Sequence, residues 1–408
     1  MELYIVAVLV LFAIAIMDLM VGVSNDAVNF LNSSVGSRVA PRHVIMIVAS
    51  LGILAGVTFS SGMMEVARKG IFHPRLFLMP ELITIFLAVM LTDVVLLDVF
   101  NTFGFPTSTT VSIVFELLGA AIAVSLFKIF ASGQSLLDLA HYINTGKALA
   151  IISGILLSVG IAFACGALAQ YLTRLLFTFN YEKRLKRYGG LWGGLALSMI
   201  VYFILIKGSK GASFMGAETV AWIKTHTLTI LGGSFLGFAA LFQTLAVATR
   251  VNILKPIVLV GTFALAMAFA ANDLVNFIGV PLAGFHALML AQASASPLTI
   301  SMDALQKAVQ TPTIFLLAAG GIMVATLWVS RKARTVTKTE VSLGRQDEGL
   351  ERFDSSQISR VVVRMFSRVS ELGRQVAPAA LNRWIERRFD TANYRPVAGY
   401  DGTIPDFD

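Results

Sequence analysis

Long apolar runs alternate along the chain with short polar, often basic, breaks. The stretches 3–22, 43–63, 76–100, 148–173, 191–207, 227–248, 256–271 and 313–330 are apolar, and each is close to the roughly 20 residues that a helix needs to cross hydrocarbon. Two more, 107–131 and 279–294, are apolar but open with or contain polar residues and proline. Lipid offers no partner to a backbone N–H or C=O, so spanning segments without a barrel pattern must be helices. The pattern therefore predicts an all-α integral membrane protein, a polytopic helical bundle. The first run opens on Met1-Glu2 with no basic leader and no small-residue cleavage site, and reads as a retained first helix.

Composition agrees with the pattern. Of 408 residues 56% are apolar and 14% charged, with a mean hydropathy of +0.77; soluble domains carry about 25% charged residues. An ordinary cytosolic enzyme, a disordered chain and a secreted disulfide scaffold are excluded, the last because Cys165 is the sole cysteine. The net charge of +8 sits in short clusters: Arg68-Lys69, Lys183-Arg184 with Lys186-Arg187, Arg250 with Lys255, and Arg331-Lys332 with Arg334. Such clusters mark cytoplasmic loops rather than a nucleic-acid surface, so no nucleic-acid partner is expected. If all four face the cytoplasm, crossing parity makes 107–131 and 279–294 partial, re-entrant or broken segments. The resulting division is a first transmembrane repeat over 1–173, a basic cytoplasmic loop over 174–190, a second, incomplete transmembrane repeat over 191–330, and a charged, amphipathic cytoplasmic tail over 331–408. That tail holds 14 of the 32 Lys and Arg. Within it Val361, Val362, Met365, Phe366 and Val369 recur at helical spacing beside Arg360, Arg364 and Arg368, the pattern of an amphipathic surface helix.

An internal echo carries the chemistry. Ser24-Asn25-Asp26-Ala27-Val28-Asn29-Phe30 returns as Ala271-Asn272-Asp273-Leu274-Val275-Asn276-Phe277, identical at five of seven positions. Each copy follows an apolar run, placing it at the end of a membrane helix or within a broken one. Matched polar interruptions in two halves of a membrane protein point to a transport site at a repeat interface. An ionised Asp at helix centre costs about 2.5–3.5 kcal/mol, so two cost roughly 5–7 kcal/mol if uncompensated. Neither apolar segment supplies a basic residue, which leaves a metal cation or a proton. Asn and Asp oxygens are hard ligands that suit an alkali ion.

The second element is Gly104-Phe105-Pro106-Thr107-Ser108-Thr109-Thr110. Pro and Ser/Thr suit the first turn of a helix. Four hydroxyls in succession opening an apolar run build a helix N-terminus inside the membrane, whose free N–H groups and positive dipole end attract an anion.

Together the two Asn-Asp-x-x-Asn copies, Pro106-Thr107-Ser108-Thr109-Thr110 and Arg68-Lys69-Gly70-Ile71 resemble the PiT-type inorganic phosphate transporters, over roughly residues 10–130 and 225–330. The resemblance implies a cation-coupled phosphate symporter in the cell membrane, built from inverted repeats with broken helices. Its partners would be inorganic phosphate, a co-transported sodium ion or proton and the lipid bilayer, with a homo-oligomer as a candidate assembly and no bound cofactor. Carried over by position, Asn25, Asp26, Asn29, Asn272, Asp273 and Asn276 would hold the cations, sodium first among them. Ser108, Thr109 and Thr110, with Asp26 and Asp273, would hold the phosphate. Members commonly have His after Ser-Thr-Thr, where this chain has Val111. They also carry a Ser-Thr-Thr element in each half, whereas beyond Asp273 only Ser294-Ala295-Ser296-Pro297-Leu298-Thr299 approaches one. The expectation is the first part of a longer transporter, or a shortened one.

Other residues are weighed more briefly. Asp18 is a candidate to join the cation site, and Asp93 and Asp98 are expected at interfacial water. Glu65 is expected in a loop ion pair and Glu116 at a lumen-facing position. The five histidines show no metal-ligand spacing, and Gly232-Gly233 and Gly320-Gly321 suggest close helix packing. Two rival functions remain: transport of another tetrahedral oxyanion such as sulfate, and an intramembrane aspartyl hydrolase with Asp26 and Asp273 as the pair.

Overall fold

The computed structural model describes residues 1–59, 70–179, 181–207, 216–249, 252–306, 312–344 and 353–390; Glu65, Arg68, Lys69 and Arg250 lie outside them. The first apolar run forms α1 (Glu2–Asp26), which continues through a slight irregularity at Ala27 into α2 (Val28–Gly36). Then follow α3 (Arg42–Phe59), α4 (Met79–Phe103), α5 (Thr109–Ser132), a single turn α6 (Leu139–Tyr142) and α7 (Thr145–Phe177). The later half adds α8 (Tyr181–Tyr202), the short α9 (Ala217–Thr225), α10 (Thr227–Ala248), α11 (Leu254–Gln292) and α12 (Thr313–Val329). Among the described residues seven helices are long and apolar enough to cross a membrane, and up to eight with the bent pair described next. The only β pairing among those residues is two isolated bridges.

Beyond Ser330 the chain turns by 69° into α13 (Arg331–Leu343). The Ser330 side chain caps that helix by accepting from the Ala333 N–H at 3.1 Å. Ala333 and Val336 are buried, so α13 lies against α1, α2 and α4. The basic, amphipathic stretch further on forms α14 (Gln357–Val376) and α15 (Ala379–Phe389), neither with a buried residue.

Two expectations from crossing parity are corrected. Residues 107–131 do not break partway: α5 is an unbroken helix of 24 residues, about 36 Å long at 1.5 Å per residue and sufficient to span. Residues 256–271 and 279–294 are not separate segments either. They form one 39-residue helix, α11, with Pro281 inside it. The second Asn-Asp motif is therefore mid-helix. Pro281 has no N–H, so the Phe277 carbonyl one turn before it loses its helical partner. For α11 parity misled because it assumes one helix per apolar run.

Helices α1 and α11 form the axis of the bundle and run antiparallel. Near one end Phe12 meets Phe285 edge-on at 6.1 Å, and a Cβ on Gly284 would lie 2.8 Å from Leu11. Nearer the motifs, a Cβ on Gly22 would lie 2.1 Å from the Phe277 ring. One hydrophobic core joins the first half of α1 to α4, α5 and the end of α11. A second joins the end of α1 to α2, α3, α12 and the start of α11, and a third lies between α8 and α10. Both motif copies sit where the first two cores meet, on helices that run antiparallel.

Small residues set the helix spacing, though not all those anticipated. Gly232, Gly233 and Gly321 face open space, whereas Gly320 meets Val57. The closest approach to a neighbouring backbone among the described glycines is on α3, where Gly52 and Gly56, four apart, let the backbone of α11 in: a Cβ on Gly56 would fall 2.2 Å from the Met267 carbonyl oxygen. A backbone atom cannot swing aside, so Gly56→Ala is expected to destabilise the bundle by about 1–3 kcal/mol, the cost of overpacking. Thermal unfolding in detergent checks this, and an unchanged midpoint would contradict the packing.

Candidate functional site

The corner between α4 and α5 fixes everything around it. Helix α4 ends on Gly104, whose φ of 68° is left-handed and suits glycine. Pro106 disfavours the helical region for Phe105 before it, and Ser108 then caps α5 by accepting from the Val111 N–H at 3.3 Å. Asn25 clamps this corner. Its Nδ2 donates to the Phe105 carbonyl at 3.0 Å and to Asn101 Oδ1 at 2.9 Å, and its Oδ1 accepts from the Thr107 N–H at 2.8 Å. Asn101 in turn donates to the Val21 carbonyl at 2.7 Å. Both amides are buried, and their mutual satisfaction is what makes that burial tolerable.

With its first turn fixed, α5 offers two adjacent hydroxyls to two different helices. Thr109 Oγ1 donates to Asp26 Oδ2 at 2.8 Å, and Thr110 Oγ1 donates to Asp273 Oδ1 at 3.0 Å. The two copies also bond internally in the same way. Asn29 Nδ2 reaches Asp26 Oδ1 at 3.4 Å, and Asn276 Nδ2 reaches Asp273 Oδ1 at 3.2 Å. Asn276 also donates to Thr110 Oγ1 at 2.9 Å. Asp26 and Thr109 are buried, Asp273 is half-buried, and Asn29, Ser108 and Thr110 are exposed, so the site is closed on one side and open on the other.

The sequence-derived residues thus converge, in two groups with different work. Asp26, Asp273, Asn29, Asn276, Thr109 and Thr110 make one connected network. Asn25 is spent on the corner, both of its amide hydrogens being used. Asn272 lies in α11 with its side chain outside what is described. Of the remaining candidates, Asp98 pairs with Lys332 at 2.5 Å, both side chains about half exposed. Asp93 is not at interfacial water but fully buried, as is Asp18, and both lie one layer deeper than the Asn-Asp motifs. Sequence reading missed Asn101 and Ser330, the latter sharing a 2.8 Å hydrogen bond with Ser24. One polar residue near a helix end gives no sign of which neighbour it meets.

Chemically, the network presents two carboxylates whose partners are all neutral, and no Lys, Arg or His takes part. Each carboxylate has two neutral donors at most, which leaves the pair's negative charge to be balanced from outside. Carboxylate, amide and hydroxyl oxygens form a hard donor set that fits an alkali cation. Beside it the first N–H groups of α5, at Thr109 and Thr110, have no helical acceptor and carry the positive end of the dipole.

A bundle of apolar helices with an acidic, amide-rich site at the crossing of two antiparallel helices defines a multi-pass integral membrane transport protein, not an enzyme. The profile of the Phosphate transporter family matches residues 22–340, and the chain belongs to that family. It is similar to a "putative phosphate permease" of Pyrococcus furiosus, 25% identical over 307 residues that make up 74% of this chain and 68% of that one. A second so named, from Thermococcus kodakarensis, is 27% identical over 65% of this chain and 63% of its own length. The chain thus matches about two thirds of the length of these relatives. A solved structure, "The sodium-dependent phosphate transporter", aligns over 84% of this chain and 89% of its own at 15% identity, with a TM-score of 0.49. Family membership sets the aspartyl hydrolase aside.

Replacing Asn101 by Leu would leave the Asn25 amide and the Val21 carbonyl without their partners, at a cost of about 1–3 kcal/mol. We expect a lower thermal midpoint for that variant in detergent. A midpoint equal to wild type would show that the corner does not depend on the amide pair.

Proposed function

We propose that this chain carries inorganic phosphate across the membrane by symport with cations, sodium first among them, bound at Asp26 and Asp273. The observation that carries the reading is that adjacent threonines at one helix start hold the two carboxylates. Phosphate drawn to the N–H groups of Thr109 and Thr110 would approach two negative charges. Cations must therefore be in place before, or arrive with, the anion.

The membrane potential asks for the same coupling. Moving a phosphate dianion into a cell held negative costs about 2.3 kcal/mol per charge per 100 mV, hence about 4.6 kcal/mol per 100 mV. Two cations entering with it cancel that cost. Alternating access then consists of one half rocking against the other about the α1–α11 crossing. Ser108, Thr109 and Thr110 would supply hydroxyls to the phosphate oxygens, and Thr109 and Thr110 would release their carboxylates as cations arrive. The match to a phosphate transporter family favours phosphate over sulfate as cargo.

Uptake of radiolabelled phosphate into proteoliposomes with an inward sodium gradient tests the reading. Losing one buried charged ligand worth roughly 2–3 kcal/mol corresponds to a drop of about 30- to 150-fold, which is the expectation for Asp273→Asn and for Asp26→Asn. Uptake at the wild-type rate in either variant would remove the mechanism. Competition by excess sulfate as strong as by unlabelled phosphate would move the cargo to the wider oxyanion class.

A further inference from the structure

One layer deeper than the motifs, Asp18 of α1, Asp93 of α4, and Ser112 and Glu116 of α5 meet inside the bundle. Asp18 and Asp93 are 0% exposed, and Glu116 is half-buried. Both carboxyl oxygens of Asp18, together with Oδ2 of Asp93 and Oε2 of Glu116, have no hydrogen-bond partner. The charged groups acting on these three carboxyls are one another and Asp26. No cation offsets them among the described residues. Lys128 is paired with Glu81 further along α4 and α5, and Lys332 with Asp98. On α11, which packs against all three helices, the titratable groups are Lys255, Asp273 and His286, and none of them is among the groups acting here. Helix α12 brings none.

Three ionised carboxylates this close together, two of them fully buried and none offset by a cation among the described residues, would cost several kcal/mol. Ser112 shows how the charge is met. Its Oγ lies 2.5 Å from Asp93 Oδ1 and 2.7 Å from Glu116 Oε1. A hydroxyl has a single hydrogen to give, so both contacts are hydrogen bonds only if one of the two carboxyls carries a hydrogen and donates it to Oγ. A metal ion fits less well: among the described residues no group of three or more Asp, Glu, His or Cys is arranged to hold one.

We propose that Asp18, Asp93 and Glu116, the last two bridged by Ser112, form a proton-holding site inside the bundle, separate from the two Asn-Asp motifs. Its link to transport rests on the phosphate reading above: Ser112 is two residues beyond Thr110 on the same helix, so protonation there is coupled to the position of the phosphate-facing turn. The site itself does not depend on that reading.

The test is infrared spectroscopy of the full chain in lipid bilayers at neutral pH, in H2O and D2O. It reads the carbonyl stretch of protonated carboxylic acids and needs no transport activity. The expected result is a protonated-carboxyl band that shifts in D2O, persists when sodium chloride replaces potassium chloride, and weakens by at least one carboxyl per chain in Glu116→Gln and in Asp93→Asn. The near-isosteric pair guards against one variant failing to fold. A wild-type spectrum without the band, loss of the band on adding sodium, or full intensity in both variants would overturn the proposal. An intact band in a protein that takes up no phosphate would uphold the proton site and remove only the transport reading.

Discussion

The structure depends on two neighbouring hydroxyls at one helix start. Successive residues of an α-helix point about 100° apart, so Thr109 and Thr110 cannot face the same neighbour. One turns to α1 and Asp26, the other to α11 and Asp273. That divergence brings together acids nearly 250 positions apart in the chain. It holds only while the first turn of α5 keeps its place, which falls to Gly104, Pro106 and the Asn25–Asn101 amide pair.

Around that point the bundle trades packing for charge. The antiparallel α1 and α11 approach closely because Gly22 and Gly284 lack side chains, and α3 reaches the α11 backbone through Gly52 and Gly56. Such contacts give helices in lipid their association energy, hydrophobic driving force being absent there. They also hold carboxylates where water cannot reach them all. Two acidic layers result. Asp26 and Asp273 keep neutral donors and an open side, whereas Asp18, Asp93 and Glu116 lie deeper with unpartnered oxygens. On the proposed reading the first group holds ions that enter and leave, and the second holds protons.

Much of this was legible in the sequence. The helical bundle followed from the apolar runs, and the doubled Asn-Asp-x-x-Asn with Pro-x-Ser-Thr-Thr pointed to the residues that meet at the start of α5. The two copies repeat because they occupy equivalent places, and that equivalence survives in the matching Asn29–Asp26 and Asn276–Asp273 bonds. What failed was information about facing. Helices that are apolar all round give no stripe to read, so Asp93 was placed toward water although it is fully buried, and Gly232 was placed in a contact that Gly56 makes. The continuity of α11 through Pro281 was lost for a related reason: a proline ends a helix in water more readily than in a membrane bundle, where neighbouring helices can satisfy the freed backbone group. Asn101 carried no signal beyond being polar.

The central claim is that Asp26 and Asp273 form one ion-binding unit rather than two unrelated acidic turns. Equilibrium binding of radioactive sodium to the purified chain, with and without phosphate, tests it most directly. The account predicts sodium binding that tightens when phosphate is added, and that disappears from both halves when either aspartate alone is replaced by asparagine. Sodium binding that ignores phosphate, or that loses only half its capacity in each single variant, would contradict it.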